Sequence, residues 1–332
     1  MSIIDGRGLF DNAKNHLDIY LNFFCNLRCN HCFLGTELDR KESFSIDSAI
    51  SLLNYARSSG CEEVSFLGGE PTIHKNIWPI IQEAFILDYK SVKVITNGLR
   101  SFDNFMKKYE AGRKPTIVFS FDGIQAATFE KIRGKGTYDR FRKNIQSALT
   151  EGYTCAGIIS VSKDNFDEVV PIIYEMDRLG FEYVNIHHVN DLGFANGENI
   201  VPPDNWLVLK EMAAHSAEQL NIKIKFENKF VPVSDKQTLT NCVIQQEKGG
   251  NIMVFPDGRV YRCALFFNSK GFNSLTWDGY QMITNNHLNE KLLCGDNGQC
   301  DGCAASRLFN LNHASEEAAQ YRISCMYQKE VL

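Results

Sequence analysis

The sequence predicts an α/β fold in which six parallel strands close into a barrel or part of one, followed by a smaller C-terminal α+β domain. Three observations support this prediction. Strand-like and helix-like stretches alternate from about residue 17 to residue 190. Glycine and polar residues follow most of the strand-like stretches directly. After residue 190 the alternation ends, and a segment rich in Gly, Asn and Pro begins a different pattern.

The alternating region contains segments that read as a strand, most of them running into a polar loop. These segments are residues 17–24, 63–69, 91–98, 115–123, 154–165 and 181–190. Helical periodicity marks residues 45–60, 77–87, 101–112, 137–152 and 166–180. Ser45 is expected to cap the first helix and Gly60 to end it. Pro79 falls in the first turn of the second helix, where proline is tolerated.

Consecutive parallel strands need right-handed crossover connections, which builds a parallel barrel or part of one. Six strands is fewer than the eight of a full (β/α)₈ barrel. The polar segments "GGEP", "TNG", "SFDG" and "SKDN" follow successive strands, and a cysteine-rich segment follows the first strand. The carboxyl ends of parallel strands build the site in such folds, so these segments are expected to converge on one mouth.

The second domain is predicted to span residues 201–332, after a first domain at residues 1–200. Residues 204–220 read as a helix, and "IKIKFEN" reads as a short strand. Residues 249–263 read as a β-hairpin because "PDG" stands at the centre of an alternating pattern.

Composition excludes several classes of protein. Apolar residues make up 44% of the chain and charged residues 23%, which is typical of a globular protein. The net charge of −5 argues against a general nucleic-acid or membrane-surface binder. No apolar run reaches the roughly 18 residues of a membrane span. The N-terminus lacks the pattern of a secretory signal.

Eleven cysteines are many for such a chain, and their odd number prevents complete internal pairing. Without a signal for export, metal-bound thiolates are a better reading than a disulfide framework. Cysteines cluster near both ends of the chain, which suggests two metal centres. Cys61 and Cys155 lie between the clusters and read as small core residues.

The N-terminal cluster, "CNLRCNHC" at residues 25–32, places Cys25, Cys29 and Cys32 within eight residues. His31 lies inside this spacing, so a Cys₃His zinc site stays open as an alternative. Three thiolates on a four-iron cluster is the sharper hypothesis. A cubane cluster normally takes four cysteines, one for each iron. With three, one iron keeps an open position for a small molecule.

The C-x3-C-x2-C spacing, the "GGEP" segment at residues 68–71 and the barrel alternation together resemble the radical S-adenosylmethionine (SAM) superfamily, over about residues 1–190. The resemblance implies a partial (β/α)₆ barrel. It also implies that Cys25, Cys29 and Cys32 hold a [4Fe–4S] cluster whose open iron binds the amino and carboxylate groups of SAM. SAM itself would then be the missing fourth ligand.

The resemblance also assigns residues near SAM. Glu70 is expected to accept hydrogen bonds from the methionyl ammonium, while Ser120 and Asp122 are expected to hydrogen-bond ribose hydroxyls. Phe33 is a candidate for packing near the adenine, with a core role open. The full set of expected cofactor-binding residues is Gly68, Gly69, Glu70, Asn97, Ser120, Asp122, Asn165 and Phe33. Turn formation or loop capping stays open for the loop residues of this set.

The C-terminal cysteines resemble the twitch domain, a shortened relative of the SPASM domain that follows many radical SAM cores. This resemblance implies an auxiliary [4Fe–4S] cluster held by Cys242, Cys263, Cys300 and Cys303. A structural zinc at the same residues stays open. The chain departs from the full SPASM pattern, having C-x5-C-x2-C from Cys294, which puts a second auxiliary cluster in doubt.

Some cysteine and histidine residues have no assigned partner. Cys294 and Cys325 are candidate hydrogen donors to a substrate radical, with a buried, inert role as the alternative. His187 and His188 lie on the sixth strand and point to opposite faces, so one of them can face the barrel interior. A core or capping role and a catalytic base are both open for that histidine.

The resemblance implies reductive cleavage of SAM to a 5′-deoxyadenosyl radical, which removes hydrogen from a substrate carbon. The auxiliary cluster is expected to transfer electrons, giving oxidation, crosslinking or epimerisation. A peptide or a small natural product is the expected substrate. Only 24 residues precede Cys25, too few for a leader-binding module, so a peptide would be delivered by a separate partner.

An electron donor such as flavodoxin or ferredoxin is the expected protein partner. A non-enzymatic iron–sulfur redox sensor or electron carrier with a degenerate SAM site is the alternative function, and the intact "GGEP" counts against it. A nucleic-acid substrate fits the acidic balance poorly. Oxygen-labile clusters favour a reducing cytoplasm as the location.

Overall fold

The structure is a computed structural model of the 332-residue chain. It describes residues 15–108, 112–227, 230–232, 250–263, 266–267, 275–284, 321–323 and 329–332.

The described elements alternate between strand and helix through the first two thirds of the chain. The strands are β1 (Asn15–Tyr20), β2 (Glu63–Leu67), β3 (Ser91–Thr96), β4 (Thr116–Ser120), β5 (Cys155–Val161), β6 (Tyr183–His188), β7 (Lys223–Glu227), β8 (Phe230–Pro232), β9 (Gly250–Val254), β10 (Arg259–Tyr261), β11 (Leu275–Trp277), β12 (Met282–Thr284), β13 (Tyr321–Ile323) and β14 (Lys329–Val331). The α-helices are α1 (Ile46–Ser58), α2 (Ile77–Ile86), α3 (Arg100–Lys107), α4 (Ala126–Arg133), α5 (Tyr138–Thr150), α6 (Val169–Arg178) and α7 (Pro203–Ala217). Short 3₁₀ helices lie at Gly35–Asp39, Pro71–Ile73, Phe166–Glu168 and Gly197–Asn199.

The chain folds into two compact units, each assembled from separate segments. The first unit contains Met1–Asn26, Thr36–Ile117 and Val243–Leu293. The second unit contains Leu27–Gly35, Val118–Cys242 and Cys294–Leu332. The predicted division of the chain after residue 200 stays a prediction.

The first unit is built on a sheet with strand order β12-β11-β10-β9-β1-β2-β3. β1 pairs in parallel with β2 and also with β9, so the C-terminal hairpin extends the core sheet. β2 pairs in parallel with β3. Strand β1 is central, and its Leu17 and Ile19 are fully buried. The predicted hairpin is confirmed: β9 and β10 are antiparallel, and Gly258 turns between them with φ +82°.

The second unit is built on strands in the order β4-β5-β6-β7-β14, with β4 entering it at Val118. β5, β6 and β7 are parallel, and β14 is antiparallel to β7. Helix α7 packs on this sheet through Trp206, whose ring lies 4.6 Å from that of Phe226. The Trp206 indole N–H donates to the carbonyl of Glu227 at 3.1 Å.

These units confirm the predicted α/β class with parallel strands. The capping prediction for α1 is also confirmed, because the Ser45 hydroxyl accepts from the Ser48 amide at 3.1 Å. Among the described helices, none combines the length and apolar character that crossing a lipid bilayer requires.

Helix α4 was not predicted from the sequence, which assigned no element between residues 123 and 137. Gln125 precedes this helix and makes no capping hydrogen bond with its side chain. The cap comes instead from Glu168, which accepts from the amides of Ile124 and Gln125 at 2.7 and 3.1 Å. Because this cap lies 40 or more residues away in sequence, local pattern reasoning has no signal for it.

Candidate functional site

In the first unit, the Gly-Gly-Glu loop after β2 lies directly against the chain that leads from β1 into Cys25. The amide of Gly69 donates to the carbonyl of Asn22 at 2.9 Å. The amide of Glu70 donates to the carbonyl of Phe24 at 3.0 Å. The Asn22 side-chain amide returns a hydrogen bond to the carbonyl of Glu70 at 3.1 Å. The two loops therefore form one hydrogen-bonded structure.

Both glycines of this loop are required by close backbone approach. A Cβ at Gly69 would lie 2.2 Å from the carbonyl oxygen of Phe23, and one at Gly68 would lie 2.5 Å from that of Asn22. Gly68 also has φ +152°, in the region that favours glycine. The glycines thus seat the loop on the segment before Cys25.

The Glu70 side chain is 1% exposed, and its carboxylate accepts from several protein donors. One oxygen accepts from Thr72 Oγ1 at 2.5 Å and from Thr96 Oγ1 at 2.7 Å. The other oxygen accepts from the amide of Asn97 at 2.9 Å. Burial raises the pKa of Glu70 despite these hydrogen bonds. The sequence expected this carboxylate to meet the SAM ammonium; in the structure it fixes the loops after β2 and β3.

Asn97, after β3, connects the Glu70 network to the first cysteine. Its side-chain amide donates to Asn26 Oδ1 at 2.9 Å and lies 3.8 Å from Cys25 Sγ. Its carbonyl oxygen accepts from the amide of Leu99 at 3.0 Å. Asn97 is therefore placed beside Cys25 by its own loop.

In the second unit, the loop that carries Cys29 and Cys32 is held by backbone contacts. The amide of Cys32 donates to the carbonyl of Cys29 at 3.1 Å. The carbonyl of Cys32 accepts from the amide of Phe194 at 2.9 Å. Gly193 has φ +67°, and a Cβ there would lie 2.2 Å from that same carbonyl and 2.5 Å from the carbonyl of Phe33. The Gly-, Asn- and Pro-rich segment after β6 thus packs on the cysteine loop.

Asp122, after β4, is fully buried and meets protein donors rather than solvent. One oxygen accepts from Arg133 Nε at 2.8 Å and also from Arg133 Nη2. The other oxygen accepts from the amide of Ser160 at 2.8 Å. His31 Nε2 lies 3.5 Å from Asp122. The Asp122 side chain thus pairs with Arg133, and its expected contact with a ribose hydroxyl of SAM stays a prediction.

Asn165 and Ser120 complete the predicted set in the second unit. The Asn165 side chain is buried, and its amide donates to the carbonyls of Asp122 and Ser160 at 3.0 and 3.1 Å. Its oxygen accepts from the amide of Ser162 at 2.8 Å. Asn165 therefore fixes the segments after β4 and β5 to each other. Ser120 is half-buried at the end of β4.

Sequence reasoning missed Asp164, which connects the cysteine loop to two neighbouring segments. It accepts from the side chains of Asn30 at 3.1 Å and Asn199 at 2.8 Å. Lys131, on α4, lies 2.7 Å from its other oxygen. Asp164 stood inside the quoted "SKDN" segment, but nothing in the sequence singles it out from other loop aspartates.

The donor set after β1 fits an iron–sulfur cluster, because it supplies thiols, the ligands that such clusters take. Burial raises the pKa of the Cys29 thiol to about 11, and burial also raises the pKa of Cys32. Metal must therefore displace the thiol protons on binding. Within the described residues, no three His, Cys, Asp or Glu side chains meet closely enough to hold one metal ion. A four-iron cluster differs from such a site because each thiolate binds a separate iron.

Of the predicted auxiliary ligands, only Cys263 is described, and it is buried after β10. Cys242, Cys294, Cys300, Cys303 and Cys325 lie outside the described residues. The chain around Cys263 is anchored in the first unit: the Phe255 and Phe267 rings stack at 4.3 Å, and Phe255 stacks with Phe23 at 6.0 Å. This hairpin is thereby packed against the segment that precedes Cys25.

Parallel strands with three cysteines after β1 and a Gly-Gly-Glu loop after β2 are the features on which the sequence resembles the radical SAM superfamily. Residues 19–175 match the family described as the Radical SAM superfamily. This match confirms the resemblance seen in the sequence for the region that it covers. The superfamily uses a [4Fe–4S] cluster and SAM.

Two curated relatives illustrate what the chain is similar to. It is 24% identical over 309 residues to the antilisterial bacteriocin subtilosin biosynthesis protein AlbA of Bacillus subtilis, covering 87% of this chain and 66% of that protein. It is 28% identical over 185 residues to a probable GTP 3′,8-cyclase of Saccharolobus islandicus, covering 55% of this chain and 60% of that protein.

Among solved structures, Streptococcus suis SuiB bound to the precursor peptide SuiA matches with a TM-score of 0.64 at 17% identity. This match covers 78% of the chain and 62% of SuiB. The likeness shows the fold alone. The chain thus spans less than two thirds of the length of each of these three proteins.

Proposed function

We propose that this protein uses SAM and an iron–sulfur cluster to abstract hydrogen from a carbon atom of a peptide substrate. The observation that carries the proposal is the packing of the Gly-Gly-Glu loop on the segment before Cys25. The Glu70 amide donates to the Phe24 carbonyl at 3.0 Å, and Gly69 leaves no room for a side chain. This packing fixes the first cysteine beside the loop that the family uses for SAM.

Cys25, Cys29 and Cys32 are the proposed ligands of the first cluster. When bound, this cluster supplies the electron that splits SAM into methionine and a 5′-deoxyadenosyl radical. The protein's part is to hold the thiols and to present backbone groups to SAM. Gly68, Gly69, Asn97 and Ser120 are the proposed contacts with SAM, because they are small or polar residues at the ends of β2, β3 and β4. Phe33 stays the candidate for the adenine.

Glu70, Asp122 and Asn165 are proposed to act on SAM through the loops that they hold. Each is buried, and each bonds the backbone of a second segment of the chain. Water is largely excluded from such groups, which strengthens their hydrogen bonds. Substituting any of these residues should therefore impair SAM binding mainly by distorting the loops of the site, and less by the loss of a direct contact with SAM.

A peptide is the proposed substrate class. The AlbA match extends over 87% of this chain, whereas the GTP cyclase match extends over 55%. AlbA is named for bacteriocin biosynthesis, and SuiB was solved with a precursor peptide. The likeness to peptide-modifying proteins thus reaches beyond the barrel strands into the C-terminal region.

An auxiliary [4Fe–4S] cluster on Cys242, Cys263, Cys300 and Cys303 is proposed for that C-terminal region. With four protein thiolates, it would have no open iron, so electron transfer is its proposed task. It would accept an electron from the substrate radical, giving net oxidation. A flavodoxin or ferredoxin is the proposed donor to the first cluster. Cys294 and Cys325 stay candidates for hydrogen donation.

The test is SAM cleavage by the anaerobically reconstituted, dithionite-reduced protein, measured as 5′-deoxyadenosine by liquid chromatography. Wild type should cleave SAM, and Cys29→Ala should reduce the rate at least a hundredfold because one cluster ligand is lost. Cys155→Ala is the matched control, since Cys155 is a buried core thiol and should leave the rate within twofold. Absence of cleavage by wild type would favour a non-enzymatic iron–sulfur protein.

The substrate class is tested with the same assay. Short peptides encoded beside the gene, deuterated at carbon, should transfer deuterium into 5′-deoxyadenosine. Stimulation of cleavage by GTP, with deuterium transferred from labelled GTP, would instead assign a nucleotide substrate.

A further inference from the structure

Arg133, the last residue of α4, lies beside the second cysteine of the loop. Its Nη1 atom is 3.8 Å from Cys29 Sγ, within the reach of an N–H···S hydrogen bond. The Arg133 residue is 6% exposed, so water competes little for this contact. Both residues belong to the second unit. No local sequence pattern indicates this pair, because 104 positions separate its members.

Arg133 is held in place by Asp122, whose carboxylate is fully buried. Asp122 is 0% exposed and accepts from Nε and Nη2 of Arg133, which leaves Nη1 for the sulfur. Both of these N–H donors converge on Asp122 Oδ2, which limits rotation of the planar guanidinium in a way that a lysine cannot reproduce. Asp122 is itself held by the Ser160 amide at 2.8 Å. The direction of the Nη1 donor is therefore set by a buried network.

Helix α4 is held at both of its ends, which fixes the backbone of Arg133. At the first turn, Glu168 accepts from the Ile124 amide at 2.7 Å and from Thr128 Oγ1 at 2.5 Å. At the last turn, the amide of Asn30 donates to the carbonyl of Ile132 at 3.2 Å. This second contact joins the cysteine loop to the residue before Arg133. The sulfur and the guanidinium thus stand on backbones that are hydrogen-bonded to each other.

A positively charged N–H donor at a cysteine sulfur favours the reduced state of an iron–sulfur cluster bound through that sulfur. Reduction adds negative charge that is shared with the thiolate sulfurs, and hydrogen bonds to these sulfurs stabilise it. Asp122 carries the opposite charge, but it stands behind the guanidinium, whereas Nη1 faces the sulfur directly. The donor next to the sulfur therefore determines the sign of the effect.

We infer that Arg133 is a positioning residue that raises the reduction potential of the SAM-binding cluster through its hydrogen bond to Cys29. Asp122 orients Arg133 for this contact. The inference rests on the proposed function, because it takes Cys29 as a cluster ligand. It assigns Arg133 to cluster reduction, a role separate from binding the substrate.

The test is an EPR-monitored redox titration of the reconstituted holoenzyme. The signal of the first cluster is identified as the one that changes when SAM is added. Arg133→Met should lower its midpoint potential, with at least a tenfold fall in the ratio of reduced to oxidised cluster at a fixed potential, equal to about 59 mV for one electron. Arg142→Met is the matched control, because Arg142 pairs with Glu175 in the same unit and should leave the potential unchanged.

Arg133→Met leaves Asp122 buried without its cation, which can prevent folding. The double variant Asp122→Asn/Arg133→Met removes both charges and still lacks the donor, so it should show the same negative shift. An unchanged midpoint in either loaded variant, or an equal shift in Arg142→Met, overturns the inference. A wild-type protein with no signal that responds to SAM overturns the proposed function instead.

Discussion

Gly69 illustrates how a single residue controls the candidate site. Its φ lies outside the positive range that favours glycine, yet a Cβ on it would lie 2.2 Å from the Phe23 carbonyl oxygen and 2.3 Å from the Phe24 carbonyl oxygen. Both contacts are backbone atoms, which cannot move aside as a side-chain tip can. The segment before Cys25 would have to shift. The glycine is thus a requirement of the cysteine loop rather than of its own turn.

Gly69→Ala is expected to destabilise the protein by about 1–3 kcal/mol, the usual cost of overpacking, and to lower SAM cleavage at least tenfold. Gly152→Ala is the matched control. Gly152 has φ +72° but nothing within 4 Å of its Cβ position, so only local strain results. Urea unfolding and 5′-deoxyadenosine formation measure the two effects. A Gly69→Ala protein with wild-type cleavage would show that the loop packing is dispensable.

The residues of the candidate site differ in how far sequence could reveal them. Cys25, Cys29, Cys32 and Glu70 were visible because they form short, spaced motifs. Arg133 was not, since it is one of 35 Lys and Arg residues and its motif exists only in three dimensions. The "SFDG" segment singled out Asp122 as a candidate but did not indicate Arg133 as its partner. The identity of a buried counter-ion depends on tertiary contacts.

Among the elements, the first three strands share a polar cluster opposite the buried residues of β1. His16 on β1 bonds Ser65 Oγ on β2 at 2.7 Å and lies 3.1 Å from Asp18. Its Nδ1 is 3.2 Å from Glu63, which Lys93 on β3 also contacts at 2.9 Å. Burial alone lowers the pKa of His16, but the charges and hydrogen bonds of Asp18 and Glu63 outweigh burial and raise it.

This cluster predicts a pH dependence of stability. The pKa of His16 is raised in the folded state, so its contribution is complete below about pH 6.5, the ordinary value for histidine. The contribution is lost as pH rises through the folded pKa. The urea midpoint of wild type should therefore fall between pH 6 and pH 9, and that of His16→Gln should fall less.

His215→Gln is the matched control for this experiment, because His215 is 77% exposed on α7 and should leave the wild-type profile unchanged. A His16→Gln profile parallel to that of wild type would contradict the assignment of the pH dependence to this cluster.

Strands were predicted better than helices with distant caps. The strand positions follow from apolar runs that end in glycine or polar residues, a signal that is local. Helix α4 has eight residues and takes its cap from Glu168, so its signal is not local. The pairing of β9 with β1 was equally hidden, because register between distant strands is set by packing.

For the whole molecule, the C-terminal region is joined to the core in the first unit. Arg40 bonds Asp257 at 2.9 Å, and Arg259 bonds Glu37 at 2.8 Å, so two ion pairs connect the β9–β10 hairpin to the segment after the cysteine loop. The hairpin also extends the core sheet through β1. The alternating pattern around "PDG" predicted the hairpin, but not that the hairpin would continue the core sheet.

At the scale of the whole molecule, we propose that the N-terminal cysteines hold one cluster. The most direct test is iron and sulfide analysis with Mössbauer spectroscopy on wild type and on the Cys25→Ala/Cys29→Ala/Cys32→Ala variant, both reconstituted anaerobically. We expect the variant to lose about four irons per chain, together with the Mössbauer component that responds to SAM. Equal iron content and identical spectra in the two proteins would contradict it.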